Sequence, residues 1–308
     1  MDCTVDSFQR LRFADGRPLR SASGVARFGA GWLIVQDDSN HAGFFSAGQG
    51  SLRRLRIFPP TQGLDTFSEA AGTKHIKADL EAVCDLVVDG VAAVIAFGSA
   101  SSEARMRAAL VLAGEAEPRV RVADLSELYR AVAVVLELPL ADLNIEGACC
   151  IGRTMRLFNR GNLAAQVPSA SVDVDLGVLL GAFDRGGTIE GALAVVNPIR
   201  YDLGSVAGVG LAITDALSLG GGLVLLSAAA EDTPNSFDDG PVVGVALALL
   251  EDERVAALAV LPEIDGAVQK VEGLALIEAF TGGARLLAVV DADDPSTPSL
   301  ELRLTIRW

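Results

Sequence analysis

The sequence predicts an all-β fold: a five-bladed β-propeller with about four strands per blade, built from residues 1–308 as a single domain. Three observations predict it: a short motif that recurs at near-regular intervals, apolar runs after each copy, and an alternating strand at each end of the chain. Units of about 60 residues hold four strands with their connections, which is typical of propeller blades. A helical solenoid would show a 3.6-residue period throughout.

The recurring motif is an apolar residue, then usually glutamate, then a small residue, and it opens an apolar run. Its strongest copies are residues 80–82, 145–147 and 271–273, and weaker copies are 22–24 and 213–215. The middle residues of successive copies lie 58, 65, 68 and 58 positions apart. This spacing predicts five units. A polar cluster after the second strand of each unit marks where that strand reaches the rim.

Both ends of the chain carry strand-like patterns. Residues 300–307 alternate strictly between apolar and polar side chains, and residues 9–13 alternate as well. We expect the N-terminal strand to complete the last blade, because this pairing hides both sheet edges.

One segment has a clear helical period. Apolar residues share one helix face near 124–138, and Asp124 and Glu127 are placed as a capping box. We therefore predict one inserted helix between the second and third blades. The uncharged run 216–230 is shorter than the ~20 residues of a membrane helix and contains three glycines, so we expect a glycine turn that leads into a buried strand.

The charge balance limits the classes of partner. A formal net charge of −15 repels phosphate backbones and anionic membranes, so we expect no nucleic-acid partner and no membrane partner. A small-molecule ligand or a divalent cation is the expected partner, and no pattern sets an oligomeric state. The first residues lack an apolar stretch of signal-peptide length, and the four cysteines lack metal-binding spacing, which predicts reduced thiols and a cytoplasmic location.

The common catalytic motifs are absent from the sequence. It contains no HExxH, no GxSxG, no Walker loop and no GxGxxG opening a helix. With only His41 and His75, a zinc site or a triad built on histidine has few ways to form. Residues 291–294 resemble the start of an EF-hand loop, but Ser296 and Leu302 stand where that loop needs glycine and glutamate.

If the motif opens the innermost strand of each blade, its carboxylates crowd around the central channel. Clustered carboxylates repel one another unless a cation, a proton or a basic side chain compensates them. Calcium or another divalent cation that prefers oxygen would fit. Structural ion pairs without a metal, or a basic pocket for an anionic ligand, would fit as well. The expected metal ligands are Glu81, Glu146, Asp215 and Glu272, and the expected ligand-binding residues are Lys77, Asp79, Arg160, Asn162, Lys270 and Asp37.

Rim residues form a second candidate set. In the segment 159–162, two amides and a guanidinium could hold a carboxylate or a phosphate, although turn residues often cap their own backbone instead. His75 is a candidate general base or a solvated loop residue. The other rim candidates are Asp38, Ser99, Ser101, Arg105, Glu231, Asp232, Asp238, Asp239, Asp291 and Asp293.

Several of these segments together resemble an uncharacterised bacterial propeller family, a domain of unknown function. The resemblance spans nearly the whole chain and is carried by residues 77–81, 143–147, 159–162, 214–216, 230–233 and 270–273. More distantly, the repeated Glu-Gly strand openings are similar to esterase-like phytase and gluconolactonase propellers, whose activities use a divalent metal in or near the channel. The resemblance implies that Glu81, Glu146 and Glu272 match blade-opening glutamates, whereas Ser23 and Thr214 depart from them.

Two functional hypotheses follow from the sequence. The leading one is a divalent-metal-dependent hydrolase of small esters, lactones or phosphoesters, in which channel carboxylates hold the cation. The alternative is a non-catalytic propeller scaffold that binds a protein or a small ligand at one rim, with structural ion pairs in the channel.

Overall fold

Short apolar runs separated by tight turns form antiparallel strands in every repeat. The computed structural model describes residues 1–46, 51–115, 117–184, 194–233, 240–291 and 297–308. These residues form five antiparallel sheets of four or five strands each, and each sheet is one blade. The predicted five-bladed β-propeller is confirmed.

The strands of each blade follow the order of the chain outward from the axis, with two exceptions. β1 (Asp2–Arg10) belongs to the last blade, and the two-residue strand β14 (Ser205–Val206) of blade four pairs with the start of the innermost strand β15 (Val209–Gly220). Blade one contains β2 (Ala22–Phe28), β3 (Gly31–Gln36), β4 (His41–Ser46) and β5 (Arg53–Arg56). Blade two contains β6 (Leu80–Val88), β7 (Val91–Gly98), β8 (Arg107–Leu112) and β9 (Arg119–Asp124). Blade three contains β10 (Ile145–Ile151), β11 (Thr154–Asn159), β12 (Ser169–Asp175) and β13 (Val195–Tyr201). Blade four contains β14 (Ser205–Val206), β15 (Val209–Gly220), β16 (Leu223–Glu231), β17 (Val242–Glu251) and β18 (Arg254–Val260). Blade five contains β19 (Lys270–Phe280), β20 (Gly283–Asp291) and β21 (Leu300–Arg307), followed in space by β1.

The N-terminal strand closes the ring, as predicted. β1 runs antiparallel to β21, with Asp2 opposite Arg307 and Arg10 opposite Leu300. The strand begins earlier than the predicted segment 9–13 and ends at Arg10. It includes the preceding residues because side chains such as Val5 pack against the apolar interface between blades four and five.

Two α-helices are inserted in the described part of the chain. α1 (Ser126–Leu136) lies inside the predicted 124–138 segment, and the Asp124 carboxylate accepts a hydrogen bond from the Ser126 amide at 2.8 Å. Glu127 does not complete the predicted capping box, since it pairs with Arg130. α2 (Leu176–Asp184) was not predicted, because its nine residues are almost uniformly apolar and show no distinct period.

The hydrophobic core is divided among the blade interfaces. Five clusters of buried apolar side chains lie between adjacent blades, one at each interface around the ring. The innermost strands β2, β6, β10, β15 and β19 contact one another in the same circular order. Because both faces of an inner strand are covered, its sequence is apolar on both sides of the pleat.

A β-bulge occurs at the same place in all five innermost strands. The register shifts across the middle residue of each motif copy: Ser23, Glu81, Glu146, Thr214 and Glu272. A bulge leaves one residue out of the ladder and redirects its side chain. The recurring motif is therefore the sequence of a bulge repeated around the axis.

The predicted glycine turn that leads into a buried strand is present. The run 216–230 forms the end of β15, a tight turn and β16, and Gly220, Gly221 and Gly222 have positive φ angles of 80°, 61° and 86°. Within the described residues, none of the helices has the length and apolar character needed to span a membrane. The four cysteines are free thiols.

Candidate functional site

The third residue of the motif faces the next blade at very short range. A Cβ on Gly273 would lie 2.6 Å from the Val25 backbone nitrogen, and a Cβ on Gly147 would lie 2.9 Å from that of Ala216. These distances are shorter than real Cβ contacts, so only glycine allows the inner strands to approach this closely. The small residue in the motif is explained by blade packing.

Asp215 occupies this third position in blade four. Its Oδ2 accepts a hydrogen bond from the Leu274 amide of blade five at 2.6 Å, and its side chain is buried. Burial raises the pKa of Asp215 well above its ordinary value. Asp215, which we predicted as a metal ligand, is not among the residues that line the axial cavity, because the bulge directs it toward the neighbouring strand.

The middle residues of the motif divide into two groups. Glu81, Glu146, Glu272 and Ser23 line a cavity of about 870 Å³ at one end of the channel. Thr214 is buried away from it, and its hydroxyl donates to the Val271 carbonyl at 2.6 Å. The two departures from glutamate thus have hydroxyls that join blades, since Ser23 likewise donates to the Leu80 carbonyl at 2.5 Å.

One chain of ion pairs lies between blades one and two. The Lys77 ammonium contacts Asp37 and lies 2.5 Å from Oδ1 of Asp79. The second carboxylate oxygen of Asp79 accepts from Arg105 at 2.8 Å and from the Ser99 hydroxyl at 2.5 Å. Asp79 has a left-handed backbone with a φ of 55°, a conformation that these contacts hold in place.

A second chain of ion pairs joins blades three, four and five. Arg160 lies 3.4 Å from Glu146 and 2.5 Å from Glu231. Lys270 lies 3.4 Å from the same Glu231 and 3.0 Å from Glu272. The charges alternate along this arc, so basic side chains compensate most of the carboxylates in the channel.

Some carboxylate oxygens in the cavity lack a donor among the described residues. Oδ1 of Asp37 and Oε2 of Glu272 are buried without a hydrogen-bond partner. Glu81 is half-buried, and none of the hydrogen bonds of the described residues involves its carboxylate. A buried acceptor without a donor is costly, so these oxygens are places where a ligand donor or a cation would be stabilised.

The pKa values of the cavity carboxyls are shifted in opposite directions. Burial raises the pKa of Glu81 well above its ordinary value, and the neighbouring Asp79 raises it further. Burial also raises the pKa of Glu146, and it raises that of Glu272 to about 8. Burial opposes the ionisation of Asp79, but Lys77 and Arg105 outweigh it and lower its pKa. The site therefore combines one carboxylate that is held as an anion with carboxyls whose charged forms are disfavoured by burial.

Three of these carboxylates could hold a metal ion. Asp37, Asp79 and Glu81 each offer an oxygen, and these atoms lie within 4.8 Å of one another. The donor set is all oxygen, which suits calcium or magnesium better than zinc. The same three carboxylates surround the Lys77 ammonium, whose pKa they raise against the effect of burial.

The predicted rim residues have different surroundings. Asn162 lines a separate cleft of about 240 Å³, and its Oδ1 accepts from the Ala165 amide at 2.9 Å as a turn residue does. Asn159 is buried and bonds to backbone groups, including the Asn144 amide at 2.8 Å. His75 lines the mouth of the axial cavity. Asp238, Asp239 and Asp293, and most of the EF-hand-like segment, lie outside the described residues.

Sequence reasoning missed Asn144, whose side chain donates to Glu146 at 2.7 Å. A signal for it is present in the motif, because the residue two positions before each motif glutamate is polar and buried. Asp79 and Lys270 hold this position in blades two and five. All three of these residues line the same cavity as the motif glutamates.

The fold and the site together define the class of protein, which is a five-bladed β-propeller with a charged axial cavity at one end of the channel. The chain belongs to a family of unknown function (DUF6910), whose sequence model matches residues 73–295. The predicted membership of a propeller family of unknown function is confirmed. No curated protein sequence matches the chain. The distant similarity to esterase-like phytase and gluconolactonase propellers stays a prediction.

Solved structures with a similar fold include propeller enzymes at low identity. The glutaminyl cyclase of Myxococcus xanthus is 10% identical with a TM-score of 0.50, over 99% of this chain and 97% of that chain. An α-L-arabinanase of Cellvibrio cellulosa is 12% identical with a TM-score of 0.49, over 94% and 93%. The PQQ-bound aldose sugar dehydrogenase of Streptomyces coelicolor is 12% identical with a TM-score of 0.43, over 98% and 97%. At these identities the similarity concerns the fold alone.

Proposed function

We propose that this protein binds a small, uncharged molecule with several hydroxyl groups in the axial cavity. The observation that carries the proposal is the convergence of donor and acceptor groups on one cavity of about 870 Å³. That volume lies within the range of small-molecule sites and accommodates a ligand of roughly disaccharide size.

The charges of the cavity favour an uncharged ligand. Lys77 is paired with Asp79, and Arg160 and Lys270 are both paired with Glu231, so none of these cations offers a free positive charge to an anion. Burial raises the pKa of Glu81, and it raises that of Glu272 to about 8, so near neutral pH the protonated form of Glu272 both donates and accepts hydrogen bonds. A hydroxyl also donates and accepts, and it therefore matches such carboxyls without adding charge.

A thermal-shift panel tests this ligand class. Neutral monosaccharides and disaccharides are compared with the matching amino sugars and uronic acids at equal concentrations, and the melting temperature of the protein is recorded. We expect the largest increase with a neutral compound, because at equal concentration the ligand that binds more tightly stabilises the folded state more. A larger increase with amino sugars, or with uronic acids, would overturn the uncharged-ligand proposal.

A second candidate function is metal-assisted hydrolysis, favoured by the Asp37, Asp79 and Glu81 oxygens that lie within 4.8 Å of one another. A calcium ion there would polarise an ester, lactone or phosphoester oxygen that enters the cavity. The Lys77 ammonium competes for two of the three carboxylates, so the cation must displace it or bind beside it. This competition makes metal binding the weaker of the two candidates.

One variant distinguishes the two candidates. In Glu81→Gln, the amide keeps a donor and an acceptor but loses the ability to carry negative charge. We expect neutral-saccharide binding to be retained within a few-fold, and calorimetric binding of Ca²⁺ or Mn²⁺ to be lost. Asp215→Asn is the matched control, because Asp215 is also a buried inner-strand carboxyl but lies outside the cavity.

A further inference from the structure

Cys84 and Cys150 face each other across the interface between blades two and three. Their Sγ atoms are 3.3 Å apart, although the residues are separated by 66 positions in the sequence. Cys84 lies on β6 and Cys150 on β10, the innermost strands of the two blades. A disulfide has an S–S distance of about 2.05 Å, so the sulfurs need to approach by only about 1.2 Å to form a bond.

The two thiols have different roles in such a reaction. Cys84 is buried, whereas Cys150 is partly exposed near the end of its strand. The Cys84 thiol donates its hydrogen to the Cys150 sulfur. This hydrogen bond lowers the pKa of Cys150 and raises that of Cys84. Cys150 is therefore the sulfur that ionises first and that a solute reaches first.

We propose that Cys84 and Cys150 are a redox-active thiol pair that hydroperoxides oxidise to a disulfide joining β6 to β10. The Cys150 thiolate attacks the peroxide oxygen, the O–O bond breaks, and the leaving oxygen takes a proton to become water or an alcohol. The sulfur of Cys84 then attacks the sulfenic acid on Cys150, the S–O bond breaks, and water leaves with the Cys84 proton. The two thiols lose two electrons, which the peroxide receives.

This disulfide would tie together two strands that line the axial cavity. Glu81 lies three residues before Cys84, and Glu146 lies four residues before Cys150. At about 3.3 Å per residue, the thiol pair lies roughly 10 to 13 Å along the strands from these glutamates. Oxidation would fix the spacing between the two strands without consuming a cavity residue.

The chain contains its own control in Cys149. It is adjacent to Cys150 in the sequence but packs on the opposite face of β10, among the buried residues between blades three and four. Burial raises its pKa, so it is a poor nucleophile. A link that depends on the folded geometry will join Cys84 to Cys150 and leave Cys149 reduced.

Peroxide oxidation followed by thiol counting tests the proposal. Folded protein is treated with hydrogen peroxide, alkylated under denaturing conditions, and analysed by peptide mass spectrometry. We expect the number of alkylated cysteines to fall from four to two. We also expect a linked peptide pair containing Cys84 and Cys150, with a mass about 2 Da below the sum of the two unmodified peptides. The Cys149→Ser variant should form the same link, whereas Cys150→Ser and Cys84→Ser should not.

Two results would overturn the proposal. One is a protein whose four thiols all remain alkylatable after oxidation, and the other is a link that runs mainly through Cys149 or Cys3. If the serine variants fail to fold, the same oxidation of the unaltered protein in urea serves instead. We expect the Cys84–Cys150 link to form at least tenfold more slowly there, and equal rates would contradict a pair held together by the fold.

Discussion

Arg160 in blade three donates a hydrogen bond from Nη2 to Oε2 of Glu231 in blade four, at 2.5 Å. The same guanidinium also faces Glu146 at 3.4 Å, and both carboxylates are buried. A side chain from one blade thus neutralises carboxylates from two blades. This contact explains how several acids coexist in the channel of a protein with a net charge of −15.

We predict that Arg160→Met lowers the free energy of unfolding by about 3–5 kcal/mol, because it leaves two buried carboxylates without their cation. Urea denaturation at neutral pH measures this change. The control is Arg130→Met, which removes an exposed pair with Glu127 and should cost less than about 1 kcal/mol. Similar losses in both variants would contradict the assignment of Arg160 as the bridge between blades.

The pKa of Glu272 predicts a specific dependence of stability on pH. Burial raises the pKa of this carboxyl from 4.5 to about 8 in the folded state. Between these values the folded protein binds more protons at Glu272 than the unfolded chain does, so stability falls as pH rises. The stabilisation is fully present below about pH 4.5 and lost above about pH 8.

We therefore predict that Glu272→Gln makes stability less dependent on pH in this window. The unfolding free energy of the unaltered protein should fall relative to the variant by about 1 kcal/mol per pH unit. Denaturation curves at pH 5, 6, 7 and 8 measure the difference. Glu278→Gln, at an exposed position of the same strand, should follow the unaltered protein. Parallel pH profiles for Glu272→Gln and the unaltered protein would refute the shifted pKa.

Close packing between inner strands gives a third prediction. Gly273→Ala should destabilise the protein by about 1–3 kcal/mol or more, because its Cβ would meet backbone atoms of blade one. Gly177→Ala is the control, since Gly177 lies in helix α2 and its nearest neighbour is the flexible Asp175 side chain. Thermal melting should show a lower melting temperature only for the Gly273 variant. A neutral Gly273→Ala would mean that the strands can separate at little cost.

Competition between Lys77 and a divalent cation gives a fourth prediction. Replacing Lys77 by methionine removes the ammonium that contacts Asp37 and Asp79, and so exposes two carboxylates to other cations. We predict that Lys77→Met is less stable in chelator, and that its affinity for Ca²⁺ rises by on the order of tenfold, about 1.4 kcal/mol. Calorimetry with Ca²⁺ measures the change. Lys74→Met at the cavity mouth should leave Ca²⁺ affinity unaltered.

The repeat was readable from the sequence because each copy encodes a local feature. Each copy forms a bulge from an apolar, a polar and a small residue. The bulge directs the side chain of the middle residue, and the small third residue leaves room for the neighbouring blade. That pattern predicted five blades and the positions of Glu81, Glu146 and Glu272. The strict alternation of residues 300–307 likewise predicted the last strand.

Other features of the structure have physical causes that a single sequence does not reveal. Asp215 stands one position after the middle residue, and only the bulge shows that this position faces the neighbouring blade. The pairing of Arg160 with Glu231 spans 71 residues and depends on how two blades pack. Helix α2 was missed because a short, uniformly apolar run is equally compatible with a buried strand.

Saturation-transfer difference NMR with a mixture of neutral disaccharides tests the central claim most directly. It detects weak ligands in the cavity of the unaltered protein and can be repeated on Glu81→Ala and Asp215→Asn. We predict transfer to at least one disaccharide with the unaltered protein and with Asp215→Asn, and a loss of at least tenfold with Glu81→Ala. No transfer from the unaltered protein at millimolar ligand, or equal transfer from Glu81→Ala, would contradict binding of a hydroxyl-rich molecule in the axial cavity.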